Sequence, residues 1–288
     1  NGARQTTTIS MLSALIAPTS GSIRVNGVSL TDDSIRARRE IGVVPQEVAL
    51  YPRLTARQNL DFFGRMYGLV GAPLRARIDE LLAFVELTER ADDRIETFSG
   101  GMKRRVNIAA GLIHRPRILY MDEPTVGVDP QSRRRILDLI AHLKEQGIAI
   151  LYTTHLMEEA EELSDRVGII DYGKLIAVGT REELTAHVNE YDRIEVDLDE
   201  PGVPDSYREA IGRLDGVAEV QVDRGKGADG PGEAAAARLV ILAANGRKVL
   251  PGLVELSNRD GRRLSGVRVQ EPNLESVFLS LTGHALRD

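Results

Sequence analysis

Three short segments of this chain carry side chains suited to handling a phosphate and a water. Ile118–Glu123 reads as an apolar strand ending in two adjacent carboxylates, Asp122 and Glu123. A strand apolar on both faces belongs in the middle of a parallel sheet, where ligands sit at the strands' carboxyl ends. There Asp122 would hold Mg²⁺ through water, and Glu123 would orient or deprotonate an attacking water. Two solvated acids in a turn before Pro124 are the plainer alternative. Phe98-Ser99-Gly100-Gly101-Met102 precedes Lys103-Arg104-Arg105 and an Ala-containing helix. Ser99 is an expected N-cap, and Gly100 and Gly101 leave backbone N–H groups open to a phosphate at the helix N-terminus. A capped helix with a basic first turn has the same pattern. Finally, Asn1-Gly2-Ala3-Arg4-Gln5-Thr6-Thr7-Thr8 matches the second half of the phosphate-loop form G-x-x-x-x-G-K-[ST] when Thr6 and Thr7 take the hydroxyl positions. That alignment puts Arg4 on the second glycine and Gln5 on the lysine; a polar helix start is the alternative.

The elements that must position these groups follow from hydrophobic periodicity. From Thr6 to about Val188, helical patterns alternate with short apolar, β-branched runs, which predicts an α/β domain with a largely parallel sheet. Strands are expected at 23–25, 41–44, 118–121, 148–152, 167–171 and 175–178. Helices are expected at 6–16, 56–67, 74–85, 100–114, 131–145, 156–163 and 182–187. Beyond residue 190 the pattern predicts strand 194–198, helix 205–214, strand 217–222, a Gly/Ala-rich loop over 223–236, strand 238–243, helix 247–257, strand 267–270 and helix 274–281. The order β-α-β-β-α-β predicts a small α+β domain of the ferredoxin-like kind. Charge divides the chain at the same place: residues 1–189 hold 24 basic and 25 acidic side chains, residues 190–288 hold 13 and 18. The expected domains are therefore 1–189 and 190–288.

Composition removes several classes. A net charge of −6 argues against a general nucleic-acid binder. No cysteine is present, so disulfides, thiolate metal sites and thiol catalysis are excluded. No apolar run approaches the roughly 18 residues needed to cross a bilayer as a helix.

Taken together, the segments resemble the motifs of ATP-binding-cassette ATPases. Phe98–Met102 is similar to their LSGGQ-type signature, Gln46 in Val43-Val44-Pro45-Gln46-Glu47 to the Q-loop glutamine, Val126-Gly127-Val128-Asp129-Pro130 to the D-loop, and His155 in Tyr152-Thr153-Thr154-His155 to the switch histidine. The motifs stand in the family's order and cover about residues 1–180. Glu271–Leu279 with Leu281-Thr282-Gly283 resembles the tail of daunorubicin-resistance-type exporter ATPases.

The resemblance implies a P-loop NTPase cassette with a helical signature subdomain, using ATP and Mg²⁺. It implies Glu123, His155 and Gln46 as catalytic residues, with Thr6, Gln46 and Asp122 at the metal. Nucleotide would meet Asn1, Gly2, Ala3, Arg4, Gln5, Thr6 and Thr7, and, from a second copy, Ser99, Gly100, Gly101 and Asp129. It further implies a dimer on a membrane-spanning permease at the cytoplasmic face of the membrane, exporting small molecules, with no nucleic-acid partner. The stretch Ala49–Tyr67, with Leu50, Tyr51, Phe62, Phe63 and Tyr67, is the expected docking surface for the permease. The sequence departs from the family at Arg4 and Gln5, which stand for the phosphate loop's glycine and lysine, and at the strands before that loop. A truncated start is therefore expected, as is weaker phosphate binding. The competing reading is a nucleotide-binding or structural subunit that does not hydrolyse ATP.

Overall fold

The computed structural model describes residues 3–30, 32, 34–187, 191–199, 202–223 and 237–282. It divides into two compact units, one running to Asp165 and taking up Ile170–Leu175, the other comprising Arg166–Ile169 and the chain from Ile176.

In the first unit, α1 (Ala3–Leu12) is followed by β1 (Arg24–Val25) and β2 (Val28–Ser29), paired antiparallel. Asn26 and Gly27 turn between them with φ of 48° and 78°, the left-handed pair that a tight hairpin requires. Of residues 23–25, expected as a strand of the α/β domain, Arg24 and Val25 thus form one arm of a two-stranded hairpin. Then come α2 (Ser34–Arg39), β3 (Ile41–Val44), α3 (Ala56–Met66), α4 (Gly71–Phe84), 3₁₀ turns at Thr88–Arg90 and Ile95–Thr97, α5 (Gly100–Leu112), β4 (Ile118–Asp122), α6 (Pro130–Glu145), β5 (Ala149–Thr153) and α7 (Met157–Leu163). Strands β3, β4 and β5 form a parallel sheet with β4 in the middle. Side chains alternate across it: Leu119 and Met121 enter the core shared with α3–α6, while Tyr120 joins Ile9 of α1 and Ile41. Both faces of β4 are buried, as its apolar sequence requires.

Register does the positioning. Val44 pairs with Met121, and Asp122 with Thr153. The segments beginning at Pro45, Glu123 and Thr154 therefore leave the sheet side by side at its carboxyl end.

The hairpin β6 (Val167–Asp171) and β7 (Lys174–Gly179) falls across the division between the units. In the second unit, α8 (Arg181–His187) precedes β8 (Asp192–Leu198), α9 (Asp205–Gly212), β9 (Val217–Asp223), β10 (Ala237–Ala243), α10 (Gly246–Arg259), β11 (Leu264–Gln270) and α11 (Leu274–Thr282). The antiparallel sheet order β11-β8-β10-β9 is that of the ferredoxin-like sandwich. Ile194, Val196 and Leu198 alternate inward with Leu239 and Ile241, against Tyr207 and Ile211 of α9 and Val249 and Leu253 of α10. The Tyr207 hydroxyl meets the Ser257 hydroxyl at 2.7 Å, pinning α9 to α10. The unit starts upstream of residue 190 because α8 packs on α11. The expected loop over 223–236 lies outside the described residues after Asp223.

Candidate functional site

At the carboxyl end of the parallel sheet, β4 finishes in Asp122 and the chain turns through Glu123 with φ of 45°. A left-handed conformation at a non-glycine residue costs free energy and is held only where surroundings demand it. Here the demand is visible. The Glu123 backbone N–H donates to Thr153, both to its carbonyl at 3.1 Å and to its hydroxyl at 3.2 Å. The same Thr153 hydroxyl donates to Asp122 Oδ1 at 2.7 Å. One threonine on the neighbouring strand thus orients the Asp122 carboxylate and holds the Glu123 backbone.

The Glu123 carboxylate is the meeting point. Gln46 Nε2 donates to its Oε2 at 3.4 Å, and His155 Nδ1 lies 3.4 Å from the same oxygen. Contacts this long leave room to tighten around a substrate. Asp122 is 3 % exposed and Glu123 8 %, so both are held out of bulk water. Gln46, Glu123 and His155 come from the ends of three adjacent parallel strands, the place where open α/β sheets bind ligands. The Asp122 carboxylate at the strand end suits Mg²⁺, which takes one or two protein carboxylates and fills the rest with water and phosphate.

A second cluster forms where α5 meets α6. Ser99 caps α5, its hydroxyl accepting from the Met102 N–H at 3.3 Å. Asp129 caps α6, with Oδ1 accepting from the Ser132 N–H at 2.9 Å, and Pro130 takes the first helical position. That backbone N–H holds the Asp129 carboxyl below the usual carboxylate range. A Cβ on Gly101 would meet Ser132 Oγ at 2.3 Å, so glycine is imposed there by packing. At Gly100 a Cβ would meet only the Gly127 carbonyl, at 3.9 Å. Among the described residues nothing requires glycine at residue 100, which leaves room for a group from outside the chain.

Two residues that motif reading passed over join these clusters. Arg104 of α5 is 5 % exposed and donates to the carbonyls of Pro45 at 2.8 Å and Gln46 at 2.6 Å. Burial holds its guanidinium below the ordinary range. Asn107 Oδ1 accepts from the Ala49 N–H at 3.3 Å. The helix carrying the signature therefore grips the loop carrying Gln46. No sequence signal set Arg104 apart, since it stands in the basic run Lys103-Arg104-Arg105. Arg104→Met is expected to lower unfolding stability by about 2–4 kcal/mol, since hydrogen bonds to charged groups contribute about 1.5–3 kcal/mol each and these carbonyls are partly solvated. Urea unfolding reads it; an unchanged midpoint would exclude the grip.

A family model described as ABC transporter matches residues 1–126. The chain is 46% identical, over 288 residues, to the linearmycin resistance ATP-binding protein LnrL of Bacillus subtilis (strain 168), covering 100% of this chain and 89% of that protein. It belongs to the ABC transporter family. A second ABC relative, the daunorubicin resistance ATP-binding protein DrrA3 of Streptomyces coeruleorubidus, is 38% identical over 284 residues, 98% of this chain and 85% of that one. Among solved structures, a dimeric ATP-binding cassette in a post-hydrolysis state bound to ADP and Pi is 27% identical with a TM-score of 0.56, covering 61% of this chain and 80% of that one.

One expectation for the ABC phosphate loop changes. Asn1 and Gly2 lie outside the described residues, and Ala3, Arg4 and Gln5 form the first turn of α1 where a loop was expected. Ala, Arg and Gln are strong helix formers, and Arg4 stands where glycine would have kept the backbone open. Thr6 and Thr7 follow, exposed, on the same helix. In the expected docking stretch, Tyr51 and Phe62 pack edge to face with ring centroids 4.8 Å apart, and Tyr51 is half exposed.

Proposed function

We propose that this ABC transporter ATPase drives export of drug-like small molecules through a separate membrane-spanning permease. The convergence of Gln46 and His155 on the buried Glu123 carries the catalytic part of that reading; the names of the linearmycin and daunorubicin resistance relatives support the cargo class.

Asp122, Gln46 and the Thr6 hydroxyl would hold Mg²⁺, which supplies charge neutralisation at the β- and γ-phosphates. Thr153 keeps the Asp122 carboxylate oriented toward that task. Glu123 accepts the proton of the attacking water, with Gln46 and His155 aiming its carboxylate. Residues 1–7 would meet the phosphates from one side, the helical turn at Ala3–Gln5 opening to do so. Ser99, Gly100 and Gly101, with Asp129, close over them from a second copy, the open position at Gly100 receiving the phosphate against the α5 N-terminus. Closing on ATP and opening after hydrolysis shifts the permease between its states. The pair of cassettes sits as a homodimer at the cytoplasmic face of the membrane. Among the described residues no helix is long and apolar enough to cross it. Residues 190–288 serve as an accessory domain.

Co-expression with a cognate permease in a drug-sensitive host tests this reading. Intracellular daunorubicin is expected to fall several-fold, and the Glu123→Gln chain is expected to abolish the drop. Equal accumulation with and without the chain, both subunits being present in the membrane fraction, would refute the cargo class.

A further inference from the structure

Glu159 of α7 is completely buried, and none of the roles above uses it. Its carboxylate has four donors, divided between its two oxygens. Oε1 accepts from the Thr125 hydroxyl at 2.8 Å and from Arg133 Nε at 2.7 Å. Oε2 accepts from the Tyr152 hydroxyl at 2.6 Å and the Thr154 hydroxyl at 2.8 Å. The first pair brackets residues 126–132, which contain Asp129. The second pair stands immediately before His155, and the Thr154 hydroxyl in turn accepts from the Leu156 N–H at 3.0 Å. Burial and the Glu159 contact together raise the Tyr152 hydroxyl well above the ordinary phenol range, so it stays a donor.

We infer that Glu159 is a positioning residue: its carboxylate locks the Asp129 loop and the His155 segment into one register, so that neither moves without the other. The inference rests on the ATPase reading of Glu123 and His155. A buried carboxylate satisfied by four donors is a rigid fixed point, because shifting either pair leaves polar groups unpaired in a dry site. The two halves are not equivalent. Arg133 has no lone pair to offer, so in Glu159→Gln the amide oxygen must face Arg133 and Thr125. The amide nitrogen then faces the Tyr152 and Thr154 hydroxyls, which have to turn and accept. The His155 side is therefore the half that loosens.

The test reads each segment while the opposite one is altered. In amide hydrogen exchange on the full chain without nucleotide, Thr125→Val is expected to speed exchange at Leu156, and Thr154→Val at Val126 and Val128, each by about threefold or more, the scale of local opening. The double variant is expected to add less than the sum of the two, as groups sharing one partner do. Glu159→Gln should loosen Leu156 more than Val128. Turnover is measured in parallel in the Arg4→Gly, Gln5→Lys chain. There each Val variant should lose about 3- to 10-fold in kcat per folded, nucleotide-binding site with the MgATP KM within about twofold, whereas general destabilisation would lower the number of binding sites and leave turnover per site unchanged. Should Thr154→Val fail to fold, Tyr152→Phe removes a donor to the same oxygen and takes its place. Effects confined to the altered segment, strict additivity, or an unmoved kcat would each overturn the inference. If the parent shows no ATP turnover, the ATPase reading fails by itself, and the exchange measurement still decides the coupling.

Discussion

Glu123→Gln is expected to cut ATP turnover by about 10²–10⁴-fold, the range for loss of a general base, while MgATP stays bound. The amide preserves shape and can still meet Gln46 and His155, but it cannot take a proton from water. The Glu123 backbone is held by Thr153 through main-chain and hydroxyl contacts that the substitution does not touch, so the turn and the sheet stay intact. With hydrolysis blocked and ATP retained, dimers should accumulate on size exclusion in MgATP and dissolve in MgADP. The measurement belongs in the Arg4→Gly, Gln5→Lys chain, where phosphate binding is strongest. Turnover undiminished by the amide would remove Glu123 from the role of base and leave His155 to be tested next.

The second large effect lies in the phosphate loop. Arg4→Gly with Gln5→Lys is expected to tighten MgATP binding by about 10- to 100-fold, since a charge-assisted hydrogen bond contributes about 1.5–3 kcal/mol. Turnover should rise with it, because phosphoryl transfer depends on a cation at the β- and γ-phosphates as charge moves between them. The glycine matters separately. Ala3–Gln5 are helical, and a backbone that has to curl around phosphate oxygens needs conformations that arginine resists. Gln5→Lys alone should therefore recover only part of both quantities. Nucleotide titration and steady-state hydrolysis of the three chains decide it. If the unaltered loop turns over as fast as the double variant, the lysine account is wrong and Arg4 is the working cation.

Much of the fold was legible because it rests on short-range signals. The Ser99 cap, the apolar β4 and the α5 and α6 helices stand within a residue or two of where their patterns place them, since caps and periodicity act over a single turn. The ferredoxin-like order of the C-terminal sheet was equally readable: once six short elements alternate as β-α-β-β-α-β, few chain paths bury all their apolar faces. The division between the units was less so, because α8 belongs by sequence to the run before residue 190 and by packing to α11.

For the candidate site, the sequence by itself determined which residue types were present and in what order: a strand ending in Asp122-Glu123, a capped diglycine helix, a glutamine and a histidine after apolar runs. It did not determine that Gln46 and Glu123, 77 residues apart, would share one oxygen with His155. That was decided by the parallel register of β3, β4 and β5, which brings three strand ends level. Nor did it mark Thr153, Arg104 or Glu159, whose types are common and whose neighbours in sequence say nothing. Each acts across elements, through hydrogen bonds made in a buried setting where an unpaired polar group is costly. Local chemistry is written along the chain; what that chemistry is aimed at depends on contacts that exist only once the strands are side by side.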